Sequence, residues 1–249
     1  MQGEWELAES QLEARLRLWA IPGALAGAFL LVATRAGHFL VRVFCSMWVH
    51  EIGHAATAWL CGFPAFPGPW LTPMAQSRSP AFAFLVFTSL AAGAYRALRT
   101  GRPRLAAALA AGIAAQLCCT LVLSAARATQ FVVFMGDGGC LVLGSLLMLT
   151  VYAPEDSALK RGWLRWGFLG IGAASFADVF AQWWASRTDF DRIPFGMNEG
   201  VGLSDPSVLS ESFGWSTDQI VHRYVALGCI CLAVLVVAYG RGLLRARSE

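Results

Sequence analysis

"WVHEIGHAATAWLCG", residues 48–62, sets two histidines and a glutamate inside a run that otherwise suits lipid or a protein core. Ionisable groups cost several kcal/mol in such surroundings unless each finds a partner. His50 and His54 stand four residues apart, so on a helix their imidazoles leave the same face and can share one ion. Glu51 projects beside such an ion and not onto it, where it can take a proton from an activated water and return it to a leaving amine. Gly53 leaves room along the helix backbone. A hydrogen-bonded network of two histidines and a glutamate is the plainer reading. The cost of desolvation makes a metal site the expectation.

The rest of the chain agrees with a membrane setting. Of its 249 residues, 57% are hydrophobic and 14% charged, against about 45–50% and about 25% in ordinary soluble domains. Net charge is only +3, and no basic stripe is interleaved with aromatics, so no nucleic-acid partner is expected. The seven cysteines fall mostly in apolar runs and read as small core residues, not as a disulfide framework. The first residues, "MQGEWELAES", are acidic where a cleaved signal would be basic, so none is expected.

A spanning helix needs about 20 mostly apolar residues. That test predicts an all-α, polytopic protein of six to seven membrane spans with a zinc site between helices. The candidates run from Leu18 to Thr34, His38 to Cys61, Pro80 to Leu98, Leu105 to Ala126, Gly138 to Tyr152, Trp163 to Trp184 and Ile220 to Tyr239. The fifth is short and can begin earlier, near Phe131. Residues 1–17 read as an amphipathic interfacial segment, with Trp5, Leu12 and Leu16 near helical spacing. Residues 18–153 form the expected membrane-embedded core, and 154–249 the C-terminal helices with a polar loop at 186–219. Between Gly62 and Pro80 lie five of the ten prolines, so helix cannot continue there and an irregular or re-entrant loop follows.

Zinc at a catalytic site takes three protein ligands and keeps one position open. Asp137, in "FVVFMGDGGCLVLGS", is the first candidate for the third ligand: a carboxylate between apolar runs, flanked by Gly136, Gly138 and Gly139, which let backbone approach closely. It would equally serve as N-cap of the fifth span. Asp178 in "ASFADVFAQWW" is second, and Glu199 in the polar loop third.

"VHEIGHA" followed much later by "GDGG" resembles the site-2 protease family of intramembrane zinc metalloproteases. The resemblance covers about His38 to Tyr152. It implies His50, His54 and Asp137 as ligands of Zn2+, Glu51 as the catalytic acid/base, and a membrane protein or peptide as substrate within the lipid bilayer. The family's Asn and prolines upstream of its Asp-Gly motif are missing from "ATQFVVFMGDGG"; Gln130 or Gln116 is the candidate amide for substrate or oxyanion. This departure motivates an alternative, a non-proteolytic membrane subunit that acts as scaffold or assembly factor with complex partners. A third reading, the prenyl-protease type of membrane zincin, would draw its last ligand from a downstream acid such as Glu199. Seven spans and the positive-inside rule put Arg96, Arg99, Arg102 and Arg104 in the cytoplasm and the HExxH end opposite. The resemblance implies zinc nearer the cytoplasm, so these two expectations disagree.

Overall fold

A computed structural model of the chain describes residues 18–153, 157–160, 163–198 and 202–246. The expected interfacial segment at 1–17 and the candidate Glu199 lie outside the described residues. The fold is helical apart from one short antiparallel strand pair, with helices α1 (Leu18–Val32), α2 (Arg35–Val41), α3 (Met47–Leu60), α4 (Pro80–Arg99), α5 (Pro103–Leu117), α6 (Ala125–Leu149), α7 (Leu164–Ala185), α8 (Asp205–Glu211) and α9 (Thr217–Ala246). Two compact units result. The first comprises Met1–Val49, Asp137–Pro194 and Trp215–Glu249; the second comprises His50–Gly136 and Phe195–Gly214.

Four helices are long and apolar enough to cross a membrane, Pro80–Arg99, Pro103–Val122, Ala125–Tyr152 and Thr217–Gly242. The pair Leu18–Val32 and Arg35–Leu60 makes a fifth if taken as one bent span, since the chain turns by 117° between them. The count is thus four to five, against six to seven expected from sequence. Two local causes account for the difference. Thr34 adopts extended backbone and ends the first expected span, but the 117° turn there makes one bent pair of the first two, with the Thr34 hydroxyl donating to Leu31 O at 2.9 Å while accepting from Gly37 N at 3.1 Å. The turn is tight enough that a Cβ on Gly37 would meet the Leu31 carbonyl and stand 2.7 Å from Thr34 Oγ1. Helix α7 differs in another way: it carries Asp178 and Gln182, and its run Gly172–Phe180 is buried on every side, as befits a helix enclosed by protein and not by lipid.

In the first unit, α7 packs against α2, α9 and the π-helical turn Arg42–Ser46 that joins α2 to α3. Helices α6 and α7 cross closely at glycines, where a Cβ on Gly144 would stand 2.9 Å from Gly172 O. Small residues permit that approach, and backbone packing is what holds helices together where lipid removes the hydrophobic drive.

In the second unit, α3 ends in a Schellman motif. Phe63 N donates to Ala58 O (2.8 Å), Gly62 N donates to Trp59 O (3.1 Å), and Gly62 takes the left-handed conformation at φ 81° that a glycine tolerates. The proline-rich segment that follows is ordered as a strap. Ala65 pairs with Met74, Phe66 N donates to Pro73 O, and Ala75 N donates to Pro64 O. Its end is fixed by Arg78, whose guanidinium donates to the carbonyls of Cys119, Thr120 and Leu123, left without helical partners where α5 gives way to a π-helical turn. Ser79 then caps α4, and Pro80 fills its first turn. All seven cysteines are free thiols.

Helix α6 corrects one detail of the expected fifth span. It begins at Ala125, so Asp137 lies mid-helix and caps nothing. No side chain before Gly136 interrupts the apolar pattern strongly enough to stop the helix, and glycine costs only about 1 kcal/mol there.

Candidate metal centre

His50 and His54 sit one turn apart on α3, as their spacing dictates, with Nε2 atoms 3.1 Å from each other and rings nearly perpendicular at 86°. The third member of the group is Asp205, at the start of α8. Its Oδ2 stands 3.2 Å from His50 Nε2 and 3.1 Å from His54 Nε2. Three donors about 2.0–2.1 Å from one tetrahedral zinc are separated by about 3.3 Å. The observed triangle matches that spacing, and among the described residues His50, His54 and Asp205 form the group that could hold a metal ion.

Proton positions strengthen the fit. The ring atom His54 Nδ1 lies 2.8 Å from Val132 O. A carbonyl only accepts, so Nδ1 carries a proton and Nε2 is the ring atom that faces His50 and Asp205. This is the arrangement of a ligating histidine oriented by a backbone carbonyl. Burial alone would raise the Asp205 carboxyl, but the His54 and His50 imidazoles outweigh it and hold the group well below the usual carboxylate range. Asp205 Oδ2 is buried, and beyond these imidazoles the described residues offer it no donor. Lone pairs packed this closely repel unless a proton or cation lies among them.

Gly136 completes the cradle. A Cβ there would fall 2.6 Å from both His50 Cε1 and His54 Nε2 and would also meet Asp205 Oδ2. The glycines around Asp137 are expected from sequence to permit close approach, and at Gly136 the space is filled by His50, His54 and Asp205. Asp137, one residue on, belongs to the first unit, where its Oδ2 accepts from the buried indole of Trp183 at 2.8 Å. Trp183 in turn stacks on Tyr224 with ring centroids 4.3 Å apart. Asp178, the second candidate, is paired with His38 and Arg42.

Glu51 is buried. Its Oε2 accepts from Thr72 Oγ1 at 2.7 Å, and the same hydroxyl lies 3.0 Å from Glu51 O, so one proton serves two acceptors on one residue. Thr72 comes from the strap, whose chain path is therefore tied to the motif helix. Of the two candidate amides, Gln116 donates through Nε2 to Ala83 O at 2.7 Å and links α5 to α4. Gln130 is half-buried near the start of α6.

Asp205 and Thr72 were not legible as site residues. "SDPSVLSE" reads as an ordinary helix start, with an acid in the first turn beside Pro206. Only the fold reveals how firmly that start is held: Ser204 N donates to Gly196 O, Gly196 N to Ser207 Oγ, and strand β1 (Met197–Asn198) pairs with β2 (Gly202–Leu203). No protein-family model, curated protein or solved structure matches the chain. What the centre can do therefore rests on its own geometry.

Proposed function

We propose that this chain is an intramembrane zinc metalloprotease that hydrolyses a peptide bond in or near a membrane-spanning substrate helix. The observation that carries the reading is the triangle of His50 Nε2, His54 Nε2 and Asp205 Oδ2, every side 3.1–3.2 Å, on the HExxH helix that also bears buried Glu51. His50, His54 and Asp205 would hold the ion and, as three protein ligands, leave one position for water or substrate. When bound, zinc polarises a carbonyl and lowers the pKa of its water to about 7. Glu51 accepts the proton and later delivers it to the leaving amine. Thr72 holds the Glu51 carboxyl in one orientation while it does so. The strap, with Phe66, Trp70 and Leu71 exposed beside Thr72, is placed to serve as a substrate edge or gate.

A carboxylate with two histidines also suits ferrous iron; Glu51 next to the first ligand is what favours hydrolysis and zinc. The source of the third ligand matters for the family reading. A downstream acid from the polar loop is the pattern of the prenyl-protease type, and Asp205 would supply it here, while the "GDGG" likeness to site-2 proteases would use Asp137.

The scaffold reading keeps one specific support: Gln116, a candidate oxyanion amide, is committed to Ala83. Cells expressing the full chain with a panel of single-span reporter helices discriminate the two. Cleavage by the native chain and none by Glu51→Gln, at equal bound metal, is expected. Equal reporter patterns with both chains, metal retained, would sink the protease and leave the scaffold.

A further inference from the structure

A cavity of about 500 Å³ in the first unit is lined by Val32, His38, Arg42, Asp178, Gln182 and Arg192, among others. Its size falls within the range of small-molecule sites. It forms where the chain leaves its helices: Val32 ends α1, Gln182 lies in the last turn of α7, and Arg192 closes the short 3-10 turn Phe190–Arg192 beyond it.

Its charges are layered. The Asp178 side chain has no exposed surface, while those of His38 and Arg42 keep 51% and 28%. Asp178 therefore lies behind the two bases and is spent on them, with Oδ1 2.9 Å from His38 Nε2 and Oδ2 3.3 Å from Arg42 Nη1. A guanidinium has five N–H donors and no acceptor, so Arg42 has donors beyond the one aimed at the acid. Arg192 spends Nε on Asp189 Oδ2 at 2.9 Å and is otherwise exposed. Gln182 adds an amide. Close in sequence to the lining residues, Leu30 and Leu31 on α1, Phe39 on α2 and Trp184 at the end of α7 are exposed apolar side chains.

We propose that this cavity binds the phosphate group of an anionic amphiphile. Guanidinium groups match phosphate oxygens two at a time. Two arginines and an amide can serve several oxygens of a tetrahedral oxyanion at once, and a basic pocket beside apolar helix surface is the usual setting for a lipid headgroup. The chemistry is shared by a phospholipid headgroup and free phosphate; the exposed apolar side chains on the same helices favour the lipid.

The full chain in neutral detergent, followed by thermal unfolding, tests this with three probes: dioctanoyl phosphatidylglycerol, dioctanoylglycerol and inorganic phosphate. Phosphatidylglycerol is expected to raise the melting temperature saturably and dioctanoylglycerol to leave it unchanged. Arg192→Gln, on a side chain 62% exposed and so tolerated by the fold, should raise the half-saturating concentration about tenfold, as loss of a charge-assisted hydrogen bond does. Arg42→Lys, which keeps a cation against Asp178 but loses the fork, should act likewise. Inorganic phosphate saturating at the same concentration as the lipid makes free phosphate the occupant; a much higher concentration makes it the headgroup. No saturable shift, equal stabilisation by dioctanoylglycerol, or half-saturation unmoved in both variants overturns the proposal.

Discussion

In the first unit the buried acid Asp178 meets His38 at 2.9 Å and Arg42 at 3.3 Å; in the second, Asp205 meets His54 at 3.1 Å and His50 at 3.2 Å. Both clusters place an aspartate against histidine in an apolar molecule, yet they balance charge differently. Around Asp178 the chain supplies its own permanent cation, since arginine stays protonated at any physiological pH. Around Asp205, among the described residues, it supplies two imidazoles and no lysine or arginine, with the His54 proton already turned toward Val132. A buried ionic group needs compensation from somewhere. In one unit it is built into the sequence, and in the other the proposed metal would supply it from outside.

The largest expected effect is on that second cluster. Asp205→Ala should abolish stoichiometric metal in the purified protein, measured by elemental analysis after dialysis, with a loss beyond the about 10–100-fold that removing a mere supporting group costs. Asp137→Ala should leave metal in place. The reverse result would return the third ligand to Asp137 and end the comparison.

Gly136→Ala comes next. Its methyl group would need the space of His50 Cε1 and His54 Nε2, each 2.6 Å from the built position, and His54 is tethered to Val132. Bound metal should weaken by about 10–100-fold while overpacking costs about 1–3 kcal/mol of stability. Full metal occupancy with unchanged melting would show that the three ligand atoms do not crowd this glycine.

Asp178→Asn sharpens the contrast from the other side. It strips the first cluster of its anion and leaves Arg42 buried against a neutral amide. Removing one partner of a fully buried pair costs about 3–5 kcal/mol, and because Arg42 keeps 28% of its side chain exposed, about 2 kcal/mol is expected here. For a chain this long that lowers the melting temperature by roughly 5–8 °C. Metal content should not change. A loss of metal would mean that the two clusters are not independent.

Much of this was open to a reader of the sequence, and the limits are physical. Helical spacing alone placed His50 and His54 on one face, because neighbours four apart on a helix cannot avoid each other. The proline count identified the strap, since no helix survives five prolines in that stretch. Asp205, the third member of the candidate group, escaped because it lies 151 residues beyond His54 in sequence, and nothing local separates an acid that could bind a metal from one that merely opens a helix. Asp137 drew attention because an isolated carboxylate between apolar runs needs a partner. It has one in Trp183, a donor that no spacing rule connects to it. The break at Thr34 falls at the expected end of the first span, but the 117° turn was hidden, because an apolar sequence looks the same whether the next helix crosses back or bends away.

The smallest expected effect concerns Thr72, and it tests whether the second cluster is arranged for chemistry or only for binding an ion. The Thr72 hydroxyl serves the Glu51 carboxylate and carbonyl. A structural strap contact and a positioning contact predict different outcomes for Thr72→Val, which keeps the shape and deletes the hydroxyl. One hydrogen bond to a carboxylate is worth about 1–2 kcal/mol, so turnover should fall by about 5–30-fold if that bond holds Glu51 in its working orientation. Metal content should stay at the native level, and Thr72→Ser, which restores the hydroxyl without the methyl, should recover most of the rate. If Thr72→Val instead lowers stability and turnover in proportion and Thr72→Ser rescues neither, the hydroxyl only fastens the strap, and Glu51 is held by its helix alone.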